Sequence, residues 1–81
     1  MHLIITNPNQ IGEILRARRK ARRVSQQQLA AKLDISQSSL SALEAGTVPL
    51  TLDRLITLAN VLGLQLVVQD KPAKQGSAAE W

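Results

Sequence analysis

There is no cysteine in this chain of 81 residues, so neither a disulfide scaffold nor a thiolate metal site can be built from it. The absence fits a reducing cytoplasm, where a soluble chain is expected. Phenylalanine and tyrosine are missing as well, and a single tryptophan, Trp81, is the whole aromatic content. The interior therefore has to be aliphatic, and a composition rich in Leu and Ala favours helix over strand. No apolar run approaches the ~20 residues a membrane helix needs. Leu3-Ile4-Ile5 is too short for the apolar stretch of a signal peptide and has no basic lead. His2 is the sole histidine, so no His-based triad can form. Carboxylates are scattered without general acid–base pairing or metal-ligand spacing. Gly12, Gly46, Gly63 and Gly76 stand singly, so no glycine-rich phosphate loop exists. An enzyme is not expected, nor is a cofactor or a metal.

Acidic groups are outnumbered by basic ones, 6 against 10, for a formal charge of +4. Such an excess attracts polyanions without specifying a fold. Its distribution is more informative: Arg16, Arg18, Arg19, Lys20, Arg22 and Arg23 all fall in one short segment. Side chains on a helix spread around its axis, so the six cannot all meet one nucleic-acid strand. Arg22 and Arg23, at the turn that follows, are the better phosphate candidates. Arg16 and Lys20 read as a solvated face.

The length allows one small domain with little stability to spare, so subunit pairing would help. Four regions are expected: an apolar arm at 1–7, a helical domain at 8–63, a strand at 64–70 and a flexible tail at 71–81. Asn7-Pro8 reads as a helix start, with Pro8 at the first helical position and Gln10 placed as in a capping box. The first helix should run from 8 to about 22. Ser25 with Gln28 opens a second helix at 26–33, with Leu29, Ala30 and Leu33 inward. Ser36 caps a third at 37–45, with Leu40 and Leu43 inward and Gly46 as its left-handed stop. Thr51 caps a fourth, where Leu52, Leu55, Ile56, Leu58, Ala59 and Leu62 form a wide apolar face and Gly63 ends the helix. Leu64, Leu66 and Val68 then alternate with Gln65, Val67 and Gln69, the period of a strand.

The two short helices at 26–33 and 37–45 are separated by a three-residue break. The outer face of the second is Gln37, Ser38, Ser41 and Ala42, which is small, polar and uncharged. Gln can pair bidentately with adenine and Ser can meet several base edges in a major groove. A capped surface helix that happens to be serine-rich would present the same face, and the chemistry alone leaves both readings open.

The stretch Ser25-Gln26-Gln27-Gln28-Leu29-Ala30-Ala31-Lys32-Leu33, followed by Ile35-Ser36-Gln37-Ser38-Ser39-Leu40-Ser41-Ala42-Leu43-Glu44-Ala45-Gly46, resembles the helix-turn-helix of phage repressors and the wider Xre/Cro family. The likeness covers roughly residues 10–62. It implies an all-α, phage-repressor-like bundle of four to five helices, here with a short C-terminal β-strand for dimerisation, and a DNA-binding transcriptional repressor. It also implies roles. Gln37, Ser38 and Ser41 would face base edges, with Ala42 near the groove floor or a thymine methyl. Gln26, Ser36 and Ser39 would reach DNA phosphates. Arg19 and Glu44 would form a partly buried ion pair tying the first helix to the third, unless they are two unrelated surface charges.

An isolated strand needs a partner. The strand at 64–70 would find it in the same segment of a second copy, through Leu64, Leu66 and Val68, with Leu58 and Leu62 packed below. Pairing with residues 3–5, or folding back on its own helices, are the alternatives. The homodimer would present two recognition helices to a palindromic operator in double-stranded DNA. Trp81 follows a polar linker, and Trp is enriched at binding hot spots. A hook for another protein and an accidental terminus are both compatible with that. The arm, domain, strand and ending Ala79-Glu80-Trp81 are together similar to HipB-type antitoxins. That likeness implies a HipA-type Ser/Thr kinase toxin as partner, with Trp81 and Glu80 as toxin contacts, and autorepression of a toxin–antitoxin operon. A stand-alone Xre-family regulator, or a protein-interaction module with no DNA role, are the competing readings.

Overall fold

The computed structural model describes residues 2–72. These form four helices, α1 (Asn9–Ala21), α2 (Gln26–Leu33), α3 (Gln37–Ala45) and α4 (Leu52–Val61). Among the described residues no helix is long and apolar enough to cross a membrane.

Each helix starts where local side-chain chemistry can satisfy its first N–H groups. At α1, Pro8 is already helical. Asn7 Oδ1 accepts from the backbone N–H of Asn9 at 3.0 Å, and Gln10 Oε1 accepts from that of Asn7 at 3.1 Å. The reciprocal capping box expected at α2 is present: Ser25 Oγ accepts from Gln28 N at 3.0 Å, and Gln28 Oε1 from Ser25 N at 2.9 Å. Ser36 Oγ caps α3 through Ser39 N at 3.1 Å, and Thr51 Oγ1 caps α4 through Arg54 N at 3.1 Å. Such caps contribute about 1 kcal/mol each. Asp34 and Gly46, both left-handed, stop α2 and α3. The turn between those helices closes with Ile35 N–H donating to Ala30 O at 3.0 Å. It is short enough to hold α2 and α3 at a fixed angle.

Leu29, Leu40, Leu58 and Leu62 are fully buried, joined by Leu15, Leu33, Ala30 and Ala59. Removing each leucine from water stabilises the bundle by roughly 1.5–3 kcal/mol. These side chains come from all four helices, or from the residue that ends one. The core is therefore what gathers two helices too short to persist alone. At one point α1 and α3 meet backbone to backbone. Gly12 is buried, and a Cβ placed on it would lie 2.5 Å from the Glu44 carbonyl oxygen and 3.0 Å from that of Leu43.

Three expectations are corrected. Residues 64–70 do not form a strand, and no strand occurs among the described residues. Alternation assigns side chains to faces, but a strand also needs a hydrogen-bonded neighbour, and residues 3–5 do not supply one. Leu64 is half-buried, while Leu66 and Val68 are exposed. The wide apolar face of α4 is also divided: Leu58 and Ala59 face the bundle's own core, whereas Leu52 is 67% and Ile56 43% exposed. Leu58 and Leu62 are therefore committed inside the chain and do not floor a dimer strand. Trp81 and Glu80 lie outside the described residues.

Candidate nucleic-acid interface

α3 turns Leu40 and Glu44 inward. This leaves Gln37, Ser38 and Ser41 exposed and Ala42 half-buried. The outward face of α3 consequently bears amide, hydroxyl and methyl groups and no charge. Glu44, the one acidic residue on the helix, is withdrawn from it: the carboxylate is 6% exposed and faces Arg19, itself 7% exposed. Arg19 Nε donates to Glu44 Oε2 at 2.7 Å and Nη2 to Oε1 at 3.1 Å, a two-pronged pair. The third prong, Nη1, donates to the Val24 carbonyl at 2.9 Å. Burial by itself would raise the Glu44 pKa. The hydrogen bonds from Arg19 and Gln26, with the positive charges of Arg19 and Arg16, outweigh it and hold the carboxyl below its usual range. An ionised Glu44 thus links α1, α2 and α3 without presenting negative charge to a polyanion.

Gln26, expected at a phosphate, is half-buried, and its Nε2 donates to Glu44 Oε1 at 3.0 Å. That bond fixes which way the amide points. It leaves the second amide N–H and the carbonyl oxygen for other partners. Ser36 and Ser39 are exposed at the start of α3. Ser36 Oγ donates to Ser39 Oγ at 2.8 Å and lies 3.1 Å from Ser38 Oγ. Ser36 has one proton and gives it to Ser39, so Ser38 is the donor in the second contact.

The basic run separates into different tasks. Arg18 Nε donates to the Leu62 carbonyl at 3.1 Å, and Arg22 Nη1 reaches the same oxygen at 3.4 Å. Both cations therefore sit at the carbonyl end of α4, where the helix dipole favours them. Arg22 itself is exposed, and its remaining guanidinium N–H groups stay open to other acceptors. Arg23 is exposed in the turn between α1 and α2, in a left-handed conformation. Arg16 and Lys20 are exposed on α1.

Three residues escaped the sequence reading. Gly12 carried a usable signal: glycine inside a helix costs about 1 kcal/mol relative to alanine, which points to a close approach. Arg18 carried none, because its role depends on where α4 ends. Arg54, the only basic residue of α4, is half-buried beside Ser38, Ser39 and Thr51.

Residues 15–69 match the helix-turn-helix family. Over 61 residues the chain is 38% identical to an uncharacterized HTH-type transcriptional regulator, y4dL, of Sinorhizobium fredii. The match takes in 75% of this chain and 31% of that protein, so the chain spans about a third of its relative's length. The capped pair α2–α3, the three-residue turn and the family match lead to one conclusion: the chain belongs to the helix-turn-helix family.

Proposed function

We propose that this chain is a sequence-specific DNA-binding transcriptional repressor that lays α3 in the major groove. The observation that carries the reading is the outward face of α3, uncharged and built of short hydrogen-bonding groups. Its single carboxylate is buried and neutralised behind it. Gln37, Ser38 and Ser41 read base edges, Ala42 lies against the groove floor, and Gln26, Ser36, Ser39, Arg22 and Arg23 meet phosphates. The regulator named in Sinorhizobium fredii supports this assignment.

The repressor acts as a homodimer on a palindromic operator. Exposed apolar residues support this at both ends of the described chain: Leu3, Ile4 and Ile5 in the arm, and Leu66, Val67 and Val68 after α4. Apolar groups left in water at two such places are a surface for another copy. Selecting duplexes from a random pool tests both claims. The enriched sequence should show two-fold symmetry, with half-sites one helical turn or a multiple apart. A single unrepeated motif would sink the dimer. Gln37→Ala combined with Ser41→Ala should weaken binding to the selected duplex by at least about tenfold, since a good bidentate base contact is worth about 1–3 kcal/mol of discrimination. Unchanged affinity in that variant would favour a protein-interaction module.

The finer assignment is a HipB-type antitoxin that neutralises a HipA-type kinase and autorepresses its operon. It rests on the likeness of the apolar arm, the helical domain and the segment Ala79-Glu80-Trp81 to such antitoxins. Removing residues 71–81 should leave duplex binding intact and abolish capture of such a kinase. Retained capture would reject Trp81 and Glu80 as the contacts, and a stand-alone regulator is the reading if the intact chain captures none.

A further inference from the structure

At the carbonyl end of α4, Arg18 and Arg22 converge with no carboxylate to answer them among the described residues. Both are tied to the Leu62 carbonyl, and Arg18 is half-buried. Gly63, at φ 73°, makes the room. A Cβ on it would lie 2.5 Å from Arg22 Nη1 and 3.7 Å from Arg18 Nη2, so the two guanidiniums meet at one point. Like charges held this way raise each other's cost. The carbonyl end of one helix, equivalent to about half a charge, offsets only part of it. From this point the chain enters residues 64–70. Leu64 N–H donates to Ala59 O at 2.8 Å, and beyond it no backbone group of residues 65–70 has a hydrogen-bond partner among the described residues. Val67 is 71% exposed and Val68 wholly so. At the far end stands Asp70, an exposed carboxylate in no ion pair among the described residues.

We infer that Asp70 of a second copy docks on the Arg18–Arg22 pair and fixes how two copies align. The assignment rests on the proposed homodimer and names the charged contact that sets its register. Residues 64–70 of two copies, laid antiparallel about a two-fold axis at Val67, put residue 70 of each opposite residue 64 of the other, one step from Gly63. In that register Leu66 meets Val68 and Gln65 meets Gln69, apolar against apolar and amide against amide. Successive side chains of an extended segment point to opposite faces, so Asp70 shares a face with Leu64, Leu66 and Val68, while Lys71 turns away from the arginines. A slip of one residue either way sets Gln69 or Lys71 opposite Leu64 in place of Asp70, and the carboxylate leaves that face. In an extended chain the seven steps from Gly63 to Asp70 span about 23 Å, so Asp70 is out of reach of its own Arg18. A lone copy offers the segment no neighbour, in keeping with its lack of a strand. Arg18 takes no part in the DNA contacts proposed above, so dimer and operator do not compete for it.

Analytical ultracentrifugation of the full chain over a concentration series gives the dimer dissociation constant of wild type, Asp70→Arg, Arg22→Glu and a charge control, Glu13→Arg, on the exposed side of α1. Unchanged helical circular dichroism verifies each fold. Asp70→Arg should raise the constant by at least about tenfold, because it opposes like charges at both contacts of the dimer. Glu13→Arg changes the net charge equally and should stay within about twofold at physiological salt, where distant charges are screened. Arg22→Glu should weaken the dimer less than Asp70→Arg, since Arg18 remains. Mixed together, Asp70→Arg and Arg22→Glu should form heterodimers beyond the statistical proportion, read by native mass spectrometry, because one of their two contacts sets an unaltered Asp70 on an unaltered arginine pair. Glu13→Arg mixed with Arg22→Glu should give only the statistical proportion. No excess of the first heterodimer would overturn the contact. So would an Asp70→Arg dimer as tight as wild type, or a Glu13→Arg dimer weakened as much as the Asp70→Arg one. Asp70 lies outside the four helices, so its variant decides the matter even if Arg22→Glu does not fold. A wild type that stays monomeric throughout would overturn the homodimer itself, a pattern distinct from a dimeric wild type and an equally dimeric Asp70→Arg.

Discussion

Arg19→Ala is expected to lower the unfolding free energy by about 3–5 kcal/mol, the range for breaking a buried ion pair from one side. The guanidinium serves three acceptors at once: both carboxylate oxygens of Glu44 and the Val24 carbonyl. Its removal strands a carboxylate that is 6% exposed, with the Gln26 amide as its remaining partner in the present geometry. Small domains hold about 5–15 kcal/mol in total, so the loss is a large share. Urea titration at neutral pH measures it. Lys20→Ala on the exposed side of α1 should move the midpoint by no more than the equivalent of about 0.5 kcal/mol. A loss below about 1 kcal/mol for Arg19→Ala would mean that the pair does not tie α1 to α3.

The same pair makes stability depend on acid, with a sign that can be worked out. Glu44 titrates below its usual range in the folded chain. Between its folded and unfolded pKa values the unfolded state therefore binds the extra proton, and stability falls as pH falls. The contribution is complete above the unfolded value and is lost as the pH passes down through the lower, folded one. Wild type should lose stability across that acidic window, and Arg19→Ala, with its main counterion gone, should lose less there.

Gly12→Ala should cost at least about 2 kcal/mol, despite a helix preference that favours alanine by about 1 kcal/mol. The added methyl would meet the carbonyl oxygens of Glu44 and Leu43 at 2.5 and 3.0 Å. Both are backbone atoms of α3, which cannot rotate aside as the end of a long side chain can. The helices must separate, and the Arg19–Glu44 bonds nearby must stretch with them. The melting temperature should fall by about 10 °C for a domain of this size, and Gly12→Val should fall further. A melting point raised by Gly12→Ala would show that propensity wins and that the two backbones are not in contact.

Much of the bundle was legible because its signals are local. Ser25 with Gln28, Ser36, Thr51 and Gly46 each act within a few residues of where they stand, and each begins or ends a helix as its chemistry dictates. Residues 64–70 differ for the opposite reason: the alternation of Leu64, Leu66 and Val68 is local, but pairing is not. The stripe on α4 gives the apolar positions without revealing how much of it the neighbouring helices cover, so Leu52 and Ile56 resemble core. The six basic residues from Arg16 to Arg23 are chemically alike in the sequence. Only the position of the α4 terminus separates Arg18 and Arg22 from the rest. Gln26 has the chemistry of a phosphate ligand, and nothing in the spacing shows that Glu44 holds one of its amide hydrogens. Arg54, a single cation amid apolar residues, offers no pattern to notice until α3 is set beside it.

The double hold of Arg18 and Arg22 on the Leu62 carbonyl places part of the chain's cationic character in competition with itself. A polyanion that recruits Arg22 must first take it from the last turn of α4. Thermodynamic reciprocity then requires that whatever firms up that last turn makes Arg22 harder to recruit, and the converse. Any polyanion that engages Arg22 would thus be coupled to the segment leaving α4 through that one side chain.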